Sequence, residues 1–312
     1  MGHFFHAVRV FGAHLADVRW QFLALALALH FLRLVFRALA WRAILSAAYP
    51  DERPKFRSTF GAYVAGVGVN SIAPARAGDV VKLYLIKRRI PEAKYATLTP
   101  TLLVETLFDM VVGIGLIVWA LSLGVLPAHQ VYSRLPSVDW GFFVRHEKRT
   151  AIGVAVVLTV ALISFIVFLE KGEAFRQRIG RGFAILRDPL RFLIRVIAPQ
   201  TVSWILRAGS IYYFLRAFNV HASVHNALLA MVVDSLATLF PATPGGAGTK
   251  QGLIVYLFRG QAVSKTALLA FSVGVNIATV VFNLGVGLIA LYAMARTFSF
   301  RRVRAASAED AA

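Results

Sequence analysis

Asn70-Ser-Ile-Ala-Pro74-Ala-Arg76-Ala-Gly78-Asp79-Val-Val-Lys82 and Pro241-Ala-Thr-Pro244-Gly245-Gly246-Ala247-Gly248-Thr249-Lys250-Gln251 are the two places where a long apolar sequence breaks. Each break has a short apolar run on either side, over residues 58–90 and 225–259. In hydrocarbon, a broken backbone is tolerated only where protein or a water-filled cavity satisfies its polar groups. Two arms too short to cross about 30 Å of bilayer core therefore predict a re-entrant hairpin at each break, lining the working cavity.

The breaks superimpose with an offset of 170: Pro74 falls on Pro244, Ala77 on Ala247 and Gly78 on Gly248. After one residue of slip, Lys94, Ala96 and Leu98 fall on Lys265, Ala267 and Leu269. Runs long enough to span lie at 21–45, 98–126, 150–169, 200–218 and 265–295. The chain reads as two halves, about 20–126 and 200–295, with an extra span at 150–169. One extra crossing makes the halves inverted, a common transporter architecture. The expected fold is an all-α polytopic membrane helix bundle of about six embedded segments. It contains two inverted repeats, each with a re-entrant broken-helix hairpin.

Composition agrees. Of 312 residues 58% are hydrophobic and 16% charged, with a mean hydropathy of +0.67, outside the range of soluble globular domains. The formal charge of +19 fits two polyanions, nucleic acid and the anionic membrane face. The apolar runs decide for the membrane, because Arg and Lys collect in the cytoplasmic loops beside spanning helices. Nucleic acid is excluded as a partner. The chain has no cysteine, so disulfides, thiolate catalysis and Cys-ligated metal are excluded too.

Residues 1–19 show no cleavable signal pattern, and 4–19 read as an interfacial amphipathic helix. Residues 171–195 place Phe175, Ile179, Phe183, Leu186, Leu190 and Leu193 at helical spacing, opposite a face rich in arginine and interrupted by Pro189. That pattern predicts an in-plane cytoplasmic linker. The basic tail at 297–312 belongs on the same side. Residues 127–149 and 219–222 then lie outside the cell membrane, and the N-terminus comes out external.

Ionisable groups inside a membrane are functional candidates by default. Arg76, Asp79 and Lys82 follow the first break, where Gly78 opens a helix whose amides favour an anion and Arg76 can clamp it. The plainer alternative has Asp79 capping that helix and pairing with Arg76 or Lys82. Glu105 and Asp109 lie four apart on one helix face, to pair with the basic groups of the first hairpin or to carry a proton. Asp234 needs a partner, either Lys250 or an arginine of another helix. Snorkelling accounts for Arg42 and most of Arg37, leaving Arg33 to be explained. His221 and His225 have the spacing of metal ligands but no third ligand, so they read as helix-start residues. The loop Gly245–Lys250 lacks the spacing of a nucleotide phosphate loop. No catalytic constellation or cofactor motif stands out, and an enzyme is not expected.

Asn70-x-x-x-Pro74-x-Arg76-x-Gly78-Asp79-x-x-Lys82, Glu105 with Asp109, Pro244-Gly-Gly-Ala-Gly248 and the stretch from Arg37 to Leu45 together resemble the transmembrane region of bacterial lysylphosphatidylglycerol synthases. That family is one of flippase-like membrane proteins, and the likeness covers about 20–296. It implies a domain that moves or presents phospholipid or polyprenyl-linked headgroups, anionic or polyprenyl-phosphate, in the cell membrane. It does not imply aminoacylation, which belongs to a separate soluble domain. Two positions depart from the pattern: Gln251 stands where the family usually has Glu, and Gly274 lies where it has Arg. Their joint change reads as the loss of a facing charge pair. A non-catalytic partner that recruits or regulates a glycosyltransferase or lipid-modifying enzyme remains the alternative, and a second copy of the chain is also open as a partner.

Overall fold

The structure is a computed structural model and describes residues 17–52, 54–73, 76–123, 179–239, 249–258 and 264–296, in which all regular structure is helical. Residues 4–16 of the expected interfacial helix 4–19, the expected span at 150–169, Pro74, the second break with Pro244, Gly245, Gly246 and Gly248, and the tail lie outside the described residues, and 17–19 are not helical.

Helix α1, Trp20–Ala48, is 29 residues of mostly Leu, Ala and Phe without Gly or Pro, and it ends just before Pro50. Helices α2, Phe56–Asn70, and α3, Ala77–Lys87, flank the first break. Helix α4 is Tyr95–Ser122. The chain re-enters through a 3-10 turn at Ala184–Arg187, then α5, Pro189–Phe192, a π segment Leu193–Ile197, and α6, Ala198–Ala217. Helices α7, Val224–Leu239, and α8, Thr249–Leu257, flank the second break, and α9, Lys265–Arg296, closes the bundle.

Among the described residues three helices are long and apolar enough to cross a membrane: Trp20–Ala48, Tyr95–Ser122 and Thr266–Met294. The expected span at 200–218 does not join them, because α6 carries Gln200, Ser203, Arg207, Ser210 and Arg216. Its polar residues are used against α1. Ser210 Oγ donates to the Ala26 carbonyl (2.8 Å), Arg19 N to the Ala217 carbonyl (2.9 Å), and the Phe22 ring stacks on Tyr213. At the other end of the pair, Ala40 and Ile44 share an apolar cluster with Val196 and Ile185. The two helices therefore run antiparallel.

The first hairpin turns back on itself. Its open end lies beside Met294, which sits 2.9 Å from where a Cβ on Gly61 would stand and accepts from Arg89 (3.3 Å). Its turn lies beside Asn283, whose amide donates to Ser71 (3.1 Å). The 15 residues of α2 rise only about 22 Å. Glycine makes the hairpin tight: a Cβ on Gly78 would stand 1.9 Å from the Gly66 carbonyl oxygen.

The elements from α5 onward restart the order of the first four. Counted from Trp20, Phe56, Ala77 and Tyr95, the starts of α5, α7, α8 and α9 lie 169, 168, 172 and 170 residues later. Packing follows the same exchange, with α2 against α9 and α7 against α4. Two apolar cores form, the first mostly of first-half residues closed by Met294 and the second mostly of second-half residues joined by Val18 and Ala26. Trp41, Leu45, Ile86 and Leu98 fill the first, and Phe214, Leu229, Phe258 and Phe271 the second.

The linker departs from expectation. Pro189 begins a helix: Asp188 caps it by accepting from Arg191 N (2.9 Å), and proline is tolerated in a first turn because it has no N–H to leave unpaired. The apolar stripe divides. Ile179 is buried with Ile185 and Val196, whereas Leu186, Leu190, Leu193 and Ile194 are exposed. Gly182 presses on α4, where a Cβ would stand 2.6 Å from the Thr97 carbonyl oxygen.

Candidate functional site

Arg37 is the centre of the largest polar cluster. Its guanidinium donates to Glu105 (Nη2, 2.7 Å), to Asp109 (Nη1, 2.8 Å) and to the Tyr63 hydroxyl (Nε, 2.6 Å). The Tyr63 hydroxyl in turn donates to Glu105 (2.6 Å), and Lys82 donates to the other Glu105 oxygen (2.8 Å). The Lys82 ammonium lies over the rings of Trp41 and Tyr63, 4.3 and 4.0 Å from their centroids. Trp204 of α6 donates to Asp109 (2.9 Å), tying the second half to the first. Four helices of the first half thus contribute to one network, in which the two carboxylates balance Arg37 and Lys82.

A second cluster surrounds Asp234 on α7. Arg207 of α6 and Lys250 of α8 each approach one of its oxygens at 3.0 Å. This satisfies the expectation from sequence, with both proposed partners present at once. Gln251 follows Lys250 on α8.

Arg33 lies between the clusters. It has no carboxylate within ion-pairing distance among the described residues, and the charges acting on it most strongly are those of Arg207 and Arg37. Nearby, His30 Nε2 shares a hydrogen bond with Asn283 Oδ1 (2.9 Å), which links α1 through α9 to the turn of the first hairpin.

The residues of the first break separate. Lys82 belongs to the buried network. Arg76 is 68% exposed and approaches only Asp79 (3.7 Å). Its left-handed backbone, φ 58° and ψ 33°, turns the chain into α3. The Asn70 side chain accepts from Gly78 N (2.7 Å) and donates to Asp79 (3.2 Å). One of the opening amides of α3, expected to favour an anion, is thus taken by Asn70.

One further expectation is corrected. Arg37 does not snorkel: it is buried because two carboxylates of α4 meet it. Gly274 is pressed against Phe218, whose Cε1 and Cζ lie 2.3 Å from where a Cβ would stand. A side chain there would meet the Phe218 ring just after α6. Sequence reading also missed Tyr63, Trp204 and Arg207. The signal for Arg207 was present, because it stands 170 residues after Arg37. Among the described residues no group of His, Asp and Glu is arranged to hold a metal.

A helical bundle with apolar outer faces and a buried ionic interior defines an integral membrane protein. The chain belongs to the family described as the lysylphosphatidylglycerol synthase TM region, whose model matches residues 4–287. It is similar to a UPF0104 membrane protein of Methanothermobacter thermautotrophicus, 24% identical over 290 residues, covering 86% of this chain and 82% of the relative. A UPF0104 membrane protein of Methanocaldococcus jannaschii is 22% identical over 201 residues, covering 61% of this chain and 79% of that one. No solved structure matches the chain.

Proposed function

We propose that the chain is a lipid translocator of the cell membrane, with several crossings and a cytoplasmic C-terminus. Its two inverted halves meet around a central cavity that receives anionic phospholipid or polyprenyl-phosphate headgroups. The observation that carries the reading is the buried ionic interior where α1 and α6 run antiparallel between the two broken hairpins. Burying that much charge in lipid is costly, and a bundle needing only stability is better served by apolar packing. The recurring helix order and the exchange of α2–α9 for α4–α7 support inversion, because equivalent helices packed antiparallel cross the bilayer in opposite senses.

The test is reconstitution of the purified chain into vesicles carrying a fluorescent lipid, with an impermeant reductant added outside. Translocation bleaches the inner leaflet as well as the outer. Vesicles that keep their inner leaflet fluorescent would sink this reading and favour a membrane partner of a lipid-modifying enzyme or glycosyltransferase. Orientation is read separately by cysteines introduced at positions 130, 180 and 305. The one at 130 labels from outside intact cells, and those at 180 and 305 are protected.

A further inference from the structure

The interior does not balance its charge. Arg33, Arg37, Lys82, Arg207 and Lys250 stand against Glu105, Asp109 and Asp234, so five cations meet three carboxylates. The Arg76–Asp79 pair is self-contained at the hairpin turn. Among the described residues no further carboxylate pairs with these five cations.

The excess is localised. Arg37 and Lys82 are matched by Glu105 and Asp109, and Asp234 matches one of Arg207 and Lys250, which leaves the surplus with that second group and with Arg33 between the two clusters. Uncompensated charge in a low-dielectric interior is expensive and calls for a counter-ion. A second observation points to the same place. The Ser203 hydroxyl and the Gln200 amide on α6 are fully buried with no hydrogen-bond partner. The antiparallel register fixed by Arg19 with Ala217 and Ala26 with Ser210 sets Ser203 opposite Arg33. Buried polar groups are nearly always paired, so orphans beside an unpaired arginine mark a place for a ligand.

We propose that Arg33 and Arg207 form a site between α1 and α6 for a lipid phosphate monoester, the class of headgroup whose charge of about −1.5 to −2 cancels the surplus. This rests on the lipid-translocator reading and narrows its substrate. A phosphodiester such as phosphatidylglycerol brings a single charge and leaves one cation uncompensated. A zwitterionic headgroup brings none.

The test is native mass spectrometry of the full chain in detergent with phosphatidic acid, phosphatidylglycerol and phosphatidylcholine of matched acyl chains, alongside a titration with inorganic phosphate. The parent binds phosphatidic acid about tenfold or more tightly over the other two lipids, the value of one additional charge-assisted contact. Arg33→Gln removes that preference, and Arg33→Lys keeps part of it. Without lipid, Arg33→Gln melts at or above the parent temperature, because it breaks no ion pair and relieves repulsion by Arg207. A purely structural arginine would instead lower it. Retained preference in Arg33→Gln, or a lowered melting temperature, overturns the site. Inorganic phosphate binding as tightly as phosphatidic acid overturns its assignment to a lipid. Arg33-dependent binding by a chain that moves no lipid leaves the site standing and removes the translocator reading. Translocation with no phosphatidic acid preference does the reverse.

Discussion

Arg37 and Arg207 stand 170 residues apart at equivalent places on antiparallel helices, and each neutralises carboxylate on a neighbouring helix: Arg37 on α4 and Arg207 on α7. Their partners are not equivalent. Positions 276 and 280, which correspond to Glu105 and Asp109 after the one-residue slip, are Asn276 and Val280, and position 64, which corresponds to Asp234, is Val64. The two helix series follow the same order and differ in charge. Helices α4 and α7 pack together, so both ionic clusters border one interface.

Removing Arg37 leaves Asp109 without its cation and the buried Glu105 with Lys82 as its one remaining cation. Breaking one side of a buried pair costs about 3–5 kcal/mol, so Arg37→Gln lowers the melting temperature in detergent sharply. Arg42→Ala loses a hydrogen bond to the Pro54 carbonyl (2.8 Å), worth about 1 kcal/mol. Arg76→Ala, at an exposed turn, is similarly mild in stability. Comparable melting temperatures for the Arg37 and Arg42 variants would remove Arg37 from the centre of the network.

Asp234 holds two cations, so Asp234→Asn leaves both facing each other. Lys250→Met removes one of them in advance. A double-mutant cycle therefore gives a coupled result: Asp234→Asn costs less in the Lys250→Met background than in the parent, by about 1–3 kcal/mol. Additive losses would mean that α7 and α8 do not share this contact.

The sequence made the broken helices legible because proline and glycine in an apolar run leave few structural choices. It also made legible the need of Glu105, Asp109 and Asp234 for partners. It misplaced Arg37 because spacing on a single helix cannot say whether an arginine end reaches water or a neighbouring carboxylate. That is decided by α4 lying against α1, a contact between residues 68 and 72 positions apart. The role of Pro189 was misread for a local reason: a proline interrupts a helix or starts one according to whether the preceding residue caps, and Asp188 does.

Gly274 tests the packing of α9 on α6. A methyl group there meets the Phe218 ring, and overpacking of this kind costs about 1–3 kcal/mol. Gly274→Ala lowers the melting temperature, and Phe218→Leu in the same chain recovers part of the loss. Gly274→Arg is worse than Gly274→Ala and is not rescued by Gln251→Glu. Rescue by that second change would show that positions 251 and 274 face each other after all.

Motion between the halves can be tested where α4 meets α7. A Cβ on Gly113 would stand 3.8 Å from the Ser235 Cβ, within the span that a disulfide bridges. The chain has no cysteine of its own, so Gly113→Cys with Ser235→Cys offers the only thiols and closes a crosslink on oxidation. Helix α4 carries the carboxylates that hold Arg37, and α7 carries the one that holds Arg207. A transport cycle in which the halves rock against each other must shift these two helices. The oxidised double variant should therefore reconstitute normally, melt above its reduced form and move no lipid, with activity returning on reduction. Each single variant should move lipid in both states. Full activity in the crosslinked protein would show that the α4–α7 contact is static, and any rearrangement would then have to run through α2 and α9, where Gly68 and Gly287 bring the backbones together.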